Sequence, residues 1–368
     1  MALSRRATLG LIGGGVILAA GGSAAGFALT RTPHKALAPW DQAGGYTDPR
    51  MRALSYAILA PNPHNRQPWE VDLATPDTVI LWRDKTRDLP ETDPDARQLT
   101  IGMGCFCEVL SIAAAETGHA VEFAFFPQGE DGPVAIARFR DGASPDSLFA
   151  QVMNRRSCKE PFTDAPVPAD ATAALGNLVD VHTDTAMVDR IREIAREAFV
   201  IEVTTHAKMK ESVDLFRMGK AEINANPDGI DLGGPFLESL MLVGMLTREG
   251  QLDPTTSEFQ QGLEMYHAMF DNTPAFVALK TAGNTRMDQI EAGRRWLRLN
   301  LTTTALGLAL HPVSQALQEY EEMAGQYRAI HETLAAPGET VQMLGRLGIG
   351  PETARTPRWP LETRLRNA

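Results

Sequence analysis

Two short stretches hold most of the recognisable chemistry in this 368-residue chain. The first is Pro61-Asn62-Pro63-His64-Asn65-Arg66-Gln67-Pro68-Trp69. Its prolines fix φ, so amide side chains and peptide groups can be held stiffly against a ligand. A flat heteroaromatic ring with donors and acceptors along its edge needs such a frame. The same residues also suit an ordinary proline-rich turn with Trp69 as core anchor. The second stretch is Asn154-Arg155-Arg156-Ser157-Cys158-Lys159-Glu160-Pro161-Phe162. Arginine forks, a lysine point charge and a serine donor together match a phosphate, and a solvated charged turn would have the same composition. A third candidate is Arg355-Thr356-Pro357-Arg358-Trp359-Pro360, where prolines bracket Arg358.

Other chemistries lack their residues. The histidines show no His-Glu-x-x-His or similar spacing, so no metal site is expected. There is no Walker loop, no Gly-x-Ser-x-Gly elbow and no Rossmann fingerprint. Cys105, Cys107 and Cys158 make no disulfide framework and read as small buried apolar residues. The formal net charge of -11 argues against non-specific nucleic-acid binding, which needs clustered cations.

The elements that would position these stretches follow from periodicity and stop signals. A helix is expected over 51–59, ended by Pro61 and Pro63, and a buried strand over 79–82. A helix over 101–117 stops at Gly118, and strands follow at 121–125 and 134–139. Residues 148–153 read as helical, 186–210 as one long amphipathic helix, and 224–235 as a Gly/Pro-rich loop that could act as a lid. Further helices are expected near 236–248 and 257–270, a strand at 276–279, and a helix over 290–306 stopped by Gly307. Helices outnumber strands in mixed order, which gives an α+β class. A shift of 189 residues carries Arg97, Ile101, Gly104, Leu110 and Gly118 onto Arg286, Ile290, Gly293, Leu299 and Gly307. Both sets follow a strand and a polar loop, the pattern of a domain-sized duplication.

The N-terminus differs in kind. Arg5 and Arg6 precede the apolar run Leu9–Leu18 and then a tail of Ala, Gly and Ser, with no acidic residue among the first 30. This is the plan of a signal segment, and Ser4-Arg5-Arg6-Ala7-Thr8-Leu9 resembles the twin-arginine type. Residues 1–30 are therefore expected to direct export to the periplasm or to stay as a membrane anchor, and 31–49 to be a linker.

Taken together, the Gln67-Pro68-Trp69 and Arg155-Arg156-Ser157 segments and the Arg358 region resemble the FMN-dependent nitroreductase family. Each of the first two occurs once, in the reverse of the family's usual order, and the mid-chain helix occurs twice. That arrangement is similar to the Acg-type branch, in which two family-like halves are fused. The resemblance implies a nitroreductase-like fold with halves at 50–148 and 149–368 and a lid within 215–270. It implies FMN as cofactor, with Pro61, Asn62, Pro63 and Asn65 lining the flavin ring and Gln67 supporting the turn. Arg155, Arg156, Ser157 and Lys159 would hold the ribityl chain and phosphate, and Arg358, with Arg355, would close the phosphate clamp. NAD(P)H would serve as transient reductant, and a small nitroaromatic or quinone would accept two electrons. The alternative is an exported flavin-sequestering protein with little turnover. Fusion removes the usual reason to dimerise, so a monomer is expected.

Overall fold

The computed structural model describes residues 27 and 29–366; the twin-arginine motif and its apolar run lie outside them. Helix α1 (His34–Gln42) is followed by α2 (Pro49–Ala57), which starts where Asp48 accepts the Arg50 backbone N–H at 2.8 Å with Pro49 in the first turn. Strands β1 (Trp69–Asp72) and β2 (Thr78–Arg83) form a hairpin. Helix α3 (Arg97–Ala115) then leads to β3 (His119–Phe125) and β4 (Ala135–Asp141). The sheet order is β1-β2-β4-β3, all antiparallel.

The second half repeats the plan. After α4 (Ala169–Leu175) and β5 (Asp180–His182) comes an insertion. It contains α5 (Thr185–Thr204), α6 (His206–Asp214), β6 (Phe216–Met218), α7 (Gly219–Ala225), β7 (Ile230–Leu232), α8 (Pro235–Leu242), α9 (Arg248–Leu252) and α10 (Ser257–Asp271). Then β8 (Ala275–Thr281), α11 (Arg286–Ala305), β9 (Ala309–Pro312), α12 (Ala324–Leu334) and β10 (Thr340–Gly348) follow. The second sheet runs β5-β8-β10-β9, again antiparallel. Strand–helix–strand–strand with the last strand in the middle is the same topology in both halves. The α+β class and the two related halves stand as read from the sequence.

The two halves meet at a helix crossing. A Cβ on Gly104 of α3 would lie 2.2 Å from the Ile290 carbonyl oxygen, and one on Gly293 of α11 would lie 2.0 Å from that of Ile101. These are the residues related by the 189-residue shift, so the contact is reciprocal, as in a two-fold dimer. The flanking pair behaves likewise. Arg97 reaches the Gln342 and Leu317 carbonyls of the second half at 2.7 Å each, and Arg286 reaches the Asp95 carbonyl and Glu130 of the first at 2.8 Å each. Helix α3 is apolar and long enough to span a bilayer, but it is nearly all buried at this crossing. Both helices end where Gly118 and Gly307 take positive φ, 78° and 70°.

Several expectations change. The segment read as a linker, 31–49, carries α1, whose Trp40 is fully buried. One apolar cluster is shared by both halves, and a second one lies within the second half alone. The long helix over 186–210 breaks at Thr205, which leaves helical geometry and begins α6. Residues 147–151 form a short 3-10 turn instead of an α-helix. The 224–235 loop contains β7, which pairs in parallel with β6. The three cysteines are free and buried, as expected.

A methyl group at the crossing has only backbone to push against. Gly293→Ala, and separately Gly104→Ala, is expected to lower stability by about 3 kcal/mol, read as a lower urea midpoint with unchanged slope.

Candidate functional site

The Pro61–Trp69 loop is strained and tied from several sides. His64, Asn65 and Gln67 have φ of 47°, 49° and 49°, the left-handed region that non-glycine residues enter only when surroundings enforce it. Asn62 accepts the Gln67 backbone N–H at 2.7 Å, which closes the loop on itself. Gly102 of α3 is its shelf, since a Cβ there would meet the Asn62 Cβ at 3.1 Å and the Pro63 Cδ at 3.3 Å. Gln67 is fully buried and acts as a hub. Its Oε1 accepts the Trp359 N–H at 2.9 Å, and its Nε2 donates to the Pro227 carbonyl at 2.7 Å. One side chain thus joins the loop, the C-terminal segment and the insertion.

The arginines gather on the other side of the loop. Arg358 is buried and donates to the Ile58, Leu59 and Ala60 carbonyls at 2.9, 3.1 and 3.2 Å and to Asn65 Oδ1 at 2.7 Å. Arg155, also buried, donates to Leu59 O at 3.0 Å and to Asn300 Oδ1 on α11 at 3.1 Å. Arg156 lies over the Trp40 ring at 4.8 Å, with Arg355 and Arg358 at 5.6 and 5.9 Å from the same indole. Of these arginines only Arg355 has a carboxylate partner among the described residues, the exposed Asp41 at 2.9 Å. Burial, and then the Arg155 charge, lowers Arg358 to about 9; burial lowers Arg155 to about 10. Both remain charged at neutral pH.

These observations divide the residues singled out from sequence. Arg155 and Arg358 spend these donors on carbonyls and amides, so they build the frame and supply positive field. Arg355 sits at the exposed outer edge. Donors left for a ligand are the buried Arg156 Nε, which has no partner, and Ser157 and Lys159, which make no hydrogen bond among the described residues. The Lys159 charge lowers the pKa of His64, Asp231 and His311. Asp231 is exposed, and the protein packed around it raises its carboxyl above the ordinary value against the pull of Lys159 and Arg358. His64 is pushed down to about 4 by burial, then by Lys159 and Arg66, and its Nδ1 has no partner. Pro61 and Pro63 remain half-buried beside it.

The insertion closes on this loop through Asp228. Its carboxylate pairs with Arg217 at 2.7 Å, Arg87 at 2.5 Å and Arg66 at 3.8 Å, all largely buried. The Gly229 N–H donates to the Asn65 carbonyl at 3.3 Å. Burial opposes the Asp228 charge, but the Arg217 hydrogen bond and the surrounding arginines outweigh it and hold the carboxyl below its ordinary value. A depressed carboxyl contributes stability above its unfolded pKa and loses it as pH falls through the lower folded value, so this closure holds at neutral pH and loosens in strong acid. Trp40, Asp228, Asp231 and Asn300 were not singled out from sequence. Asn226-Pro227-Asp228-Gly229 carried a turn signal only, and Asn300 was one polar residue on a buried helix face.

No family model matches the chain. A Mycobacterium tuberculosis protein of strain H37Rv named "Putative NAD(P)H nitroreductase" is 26% identical over 314 residues, covering 82% of this chain and 85% of its own. Another from the same strain, of the same name with the suffix acg, is 25% identical over 332 residues, covering 86% and 95%. Among solved structures, an FMN-dependent nitroreductase from Mycobacterium smegmatis in complex with NADPH has a TM-score of 0.39 at 18% identity, covering 60% of this chain and 98% of its own. A nitroreductase-like protein from Bacillus cereus has a TM-score of 0.33 at 12% identity, covering 60% and 96%.

Asp228→Asn removes the charge that three buried guanidiniums share. Amide exchange across 226–235 at pH 7 is expected to quicken about 100-fold, with α3 and α11 unchanged, read by hydrogen–deuterium exchange. Uniform acceleration across the whole chain would mean global destabilisation instead.

Proposed function

We propose that the chain is an FMN-binding oxidoreductase of the nitroreductase type, with one site per chain built from both halves. The observation that carries this reading is a group of arginines in which Arg155, Arg156 and Arg358 make no ion pair among the described residues, set against a rigid loop of amides and peptide groups in an acidic protein. A phosphate dianion offsets that charge, and the names of the M. tuberculosis relatives point to the same chemistry. The residues fit FMN's two ends. Arg156 Nε, Ser157 and Lys159 offer donors for the phosphate, and Pro61, Asn62, Pro63 and Asn65 offer a flat polar wall for a ring. Bound FMN would supply two-electron redox chemistry toward a nitroaromatic or quinone, with NAD(P)H as transient donor. Arg155 and Arg358 hold the positive field in place without reorganising. His64, pushed down to about 4 and so neutral at pH 7, is a group able to accept a proton within the loop.

The latched insertion favours a second reading. A closed lid held by Asp228 suits a protein that sequesters flavin and turns over little. Residues 1–30 support export by the twin-arginine route, and an exported enzyme would not meet the cytosolic NAD(P)H pool. The shared core of the two halves supports a monomer.

The purified chain is expected to be yellow or to take up FMN in equal molar amount. Arg156→Ala with Lys159→Ala should weaken FMN binding about 100-fold with little loss of stability, whereas Arg155→Ala should mainly lower stability. Bleaching by NAD(P)H supports the reductase, and bleaching by dithionite alone supports sequestration. A colourless chain that takes up no FMN rejects both.

A further inference from the structure

Helix α8 leaves an apolar face that nothing among the described residues covers. The stretch 235–246 contains one charged residue, Glu238. That carboxylate is buried and turned inward, accepting from Arg31 at 3.1 Å and from the Lys220 backbone N–H at 3.1 Å. Outward face Phe236, Leu242, Val243 and Met245, which are 69%, 75%, 61% and 53% exposed. A soluble surface scatters single apolar residues; several large ones within ten positions, with no exposed charge among them, mark a contact face.

What covers it is indicated by the chain that arrives there. Arg31 is bonded to Glu238, and Phe27 and Arg31 line one shallow cavity with Met241 and Leu242. Leu29 beside them is 79% exposed. Immediately upstream in sequence stands the apolar run Leu9–Leu18 with its Ala/Gly tail, and no acidic residue precedes Asp41. The neighbouring cations are Arg31, Lys35 and Lys220; Lys35 lies on α1, which is bonded to α7 from the Ala36 N–H to Asn224 Oδ1 at 3.0 Å. An apolar helix face rimmed by cations, next to an acid-free apolar segment, matches the interface of a bilayer with anionic headgroups.

We propose that α8 and residues 242–246 form a membrane-docking surface that lies in the headgroup–acyl boundary beside the N-terminal segment. The inference does not depend on flavin.

The test uses the full chain with Phe236→Cys or, separately, Leu242→Cys, labelled with an environment-sensitive fluorophore; the native cysteines are buried and leave the new thiol as the reactive one. Glu332→Cys on α12 serves as reference. With vesicles of phosphatidylglycerol and phosphatidylethanolamine, emission from positions 236 and 242 should shift to the blue and iodide quenching should fall about fivefold, while position 332 stays quenched. Vesicle-bound chain whose position 236 remains as quenched as in buffer overturns the proposal. So does shielding of position 236 without vesicles at concentrations where the chain self-associates, since the occupant is then a second copy. A chain that does not bind these vesicles overturns it as well.

Discussion

The close crossing of α3 and α11 is the constraint on which the rest depends. Two carbonyls sit where the Cβ atoms of Gly104 and Gly293 would be, so the helices pack backbone to backbone and cannot slide without collision. Because the glycines are equivalent in the two halves, the crossing fixes both halves at once and sets an approximate two-fold relation between them. The site inherits its geometry from it. Gly102, two residues from Gly104 and so on another side of α3, shelves the Asn62–Pro63 turn. Asn300, farther along α11, orients Arg155, whose other arm holds Leu59 of the first half. One crossing therefore sets the distance between the amide loop and the cation cluster.

The cluster itself is costly. Burying guanidiniums without acids opposes folding through desolvation, which is why Arg155 and Arg358 bind protons less tightly than free arginine. Backbone carbonyls at the end of α2 offset part of that cost, since α2 ends ahead of Pro61 and exposes the Ile58, Leu59 and Ala60 oxygens that its helix no longer uses. Hydrogen bonds satisfy the donors but leave the charge. The remaining positive potential is the feature that an anionic ligand would relieve, and it persists in a chain whose formal charge is -11.

Much of this was legible in the residues. Prolines and glycines announced the ends of α2, α3 and α11, and the 189-residue echo pointed at the glycine pair that makes the crossing. What was not legible shares a physical reason: it depends on partners far apart in sequence. Strand β10 holds Gly345, Arg346 and Gly348 and lacks an alternating pattern, yet it is central in its sheet because Gly345 makes room for Trp296 and Arg346 finds Thr273 and His311. Helix α1 read as linker because its Pro39 and polar residues carry little periodicity; Trp40 is buried only because Thr356, more than 300 positions away, accepts its indole N–H at 2.8 Å. Asp228 likewise shows only a turn signal until Arg66, Arg87 and Arg217 meet around it. The carbonyls of Ile58, Leu59 and Ala60 that hold Arg358 lie about 300 positions away and were equally invisible in sequence.

The departure from two-fold symmetry has two sources: α12 lies between β9 and β10, where the first half has only residues 126–134 between β3 and β4, and a larger insertion lies elsewhere. In the first half the turn between β1 and β2 spans residues 73–77; at the equivalent point of the second half, between β5 and β8, the chain carries residues 183–274. That insertion supplies Pro227 for Gln67, Asp228 for Arg66, Arg87 and Arg217, and the bare face of α8. A symmetric pair would carry each segment twice. Here the loop occurs only in the first half and the Arg-Arg-Ser segment only at the start of the second, and the insertion touches the loop at Asn65 and Gln67. An insertion at a tight strand turn leaves the glycine crossing and both sheets untouched, since none of its residues takes part in either. That separation lets a rigid duplicated core carry an asymmetric cover whose contacts can change without unmaking the fold.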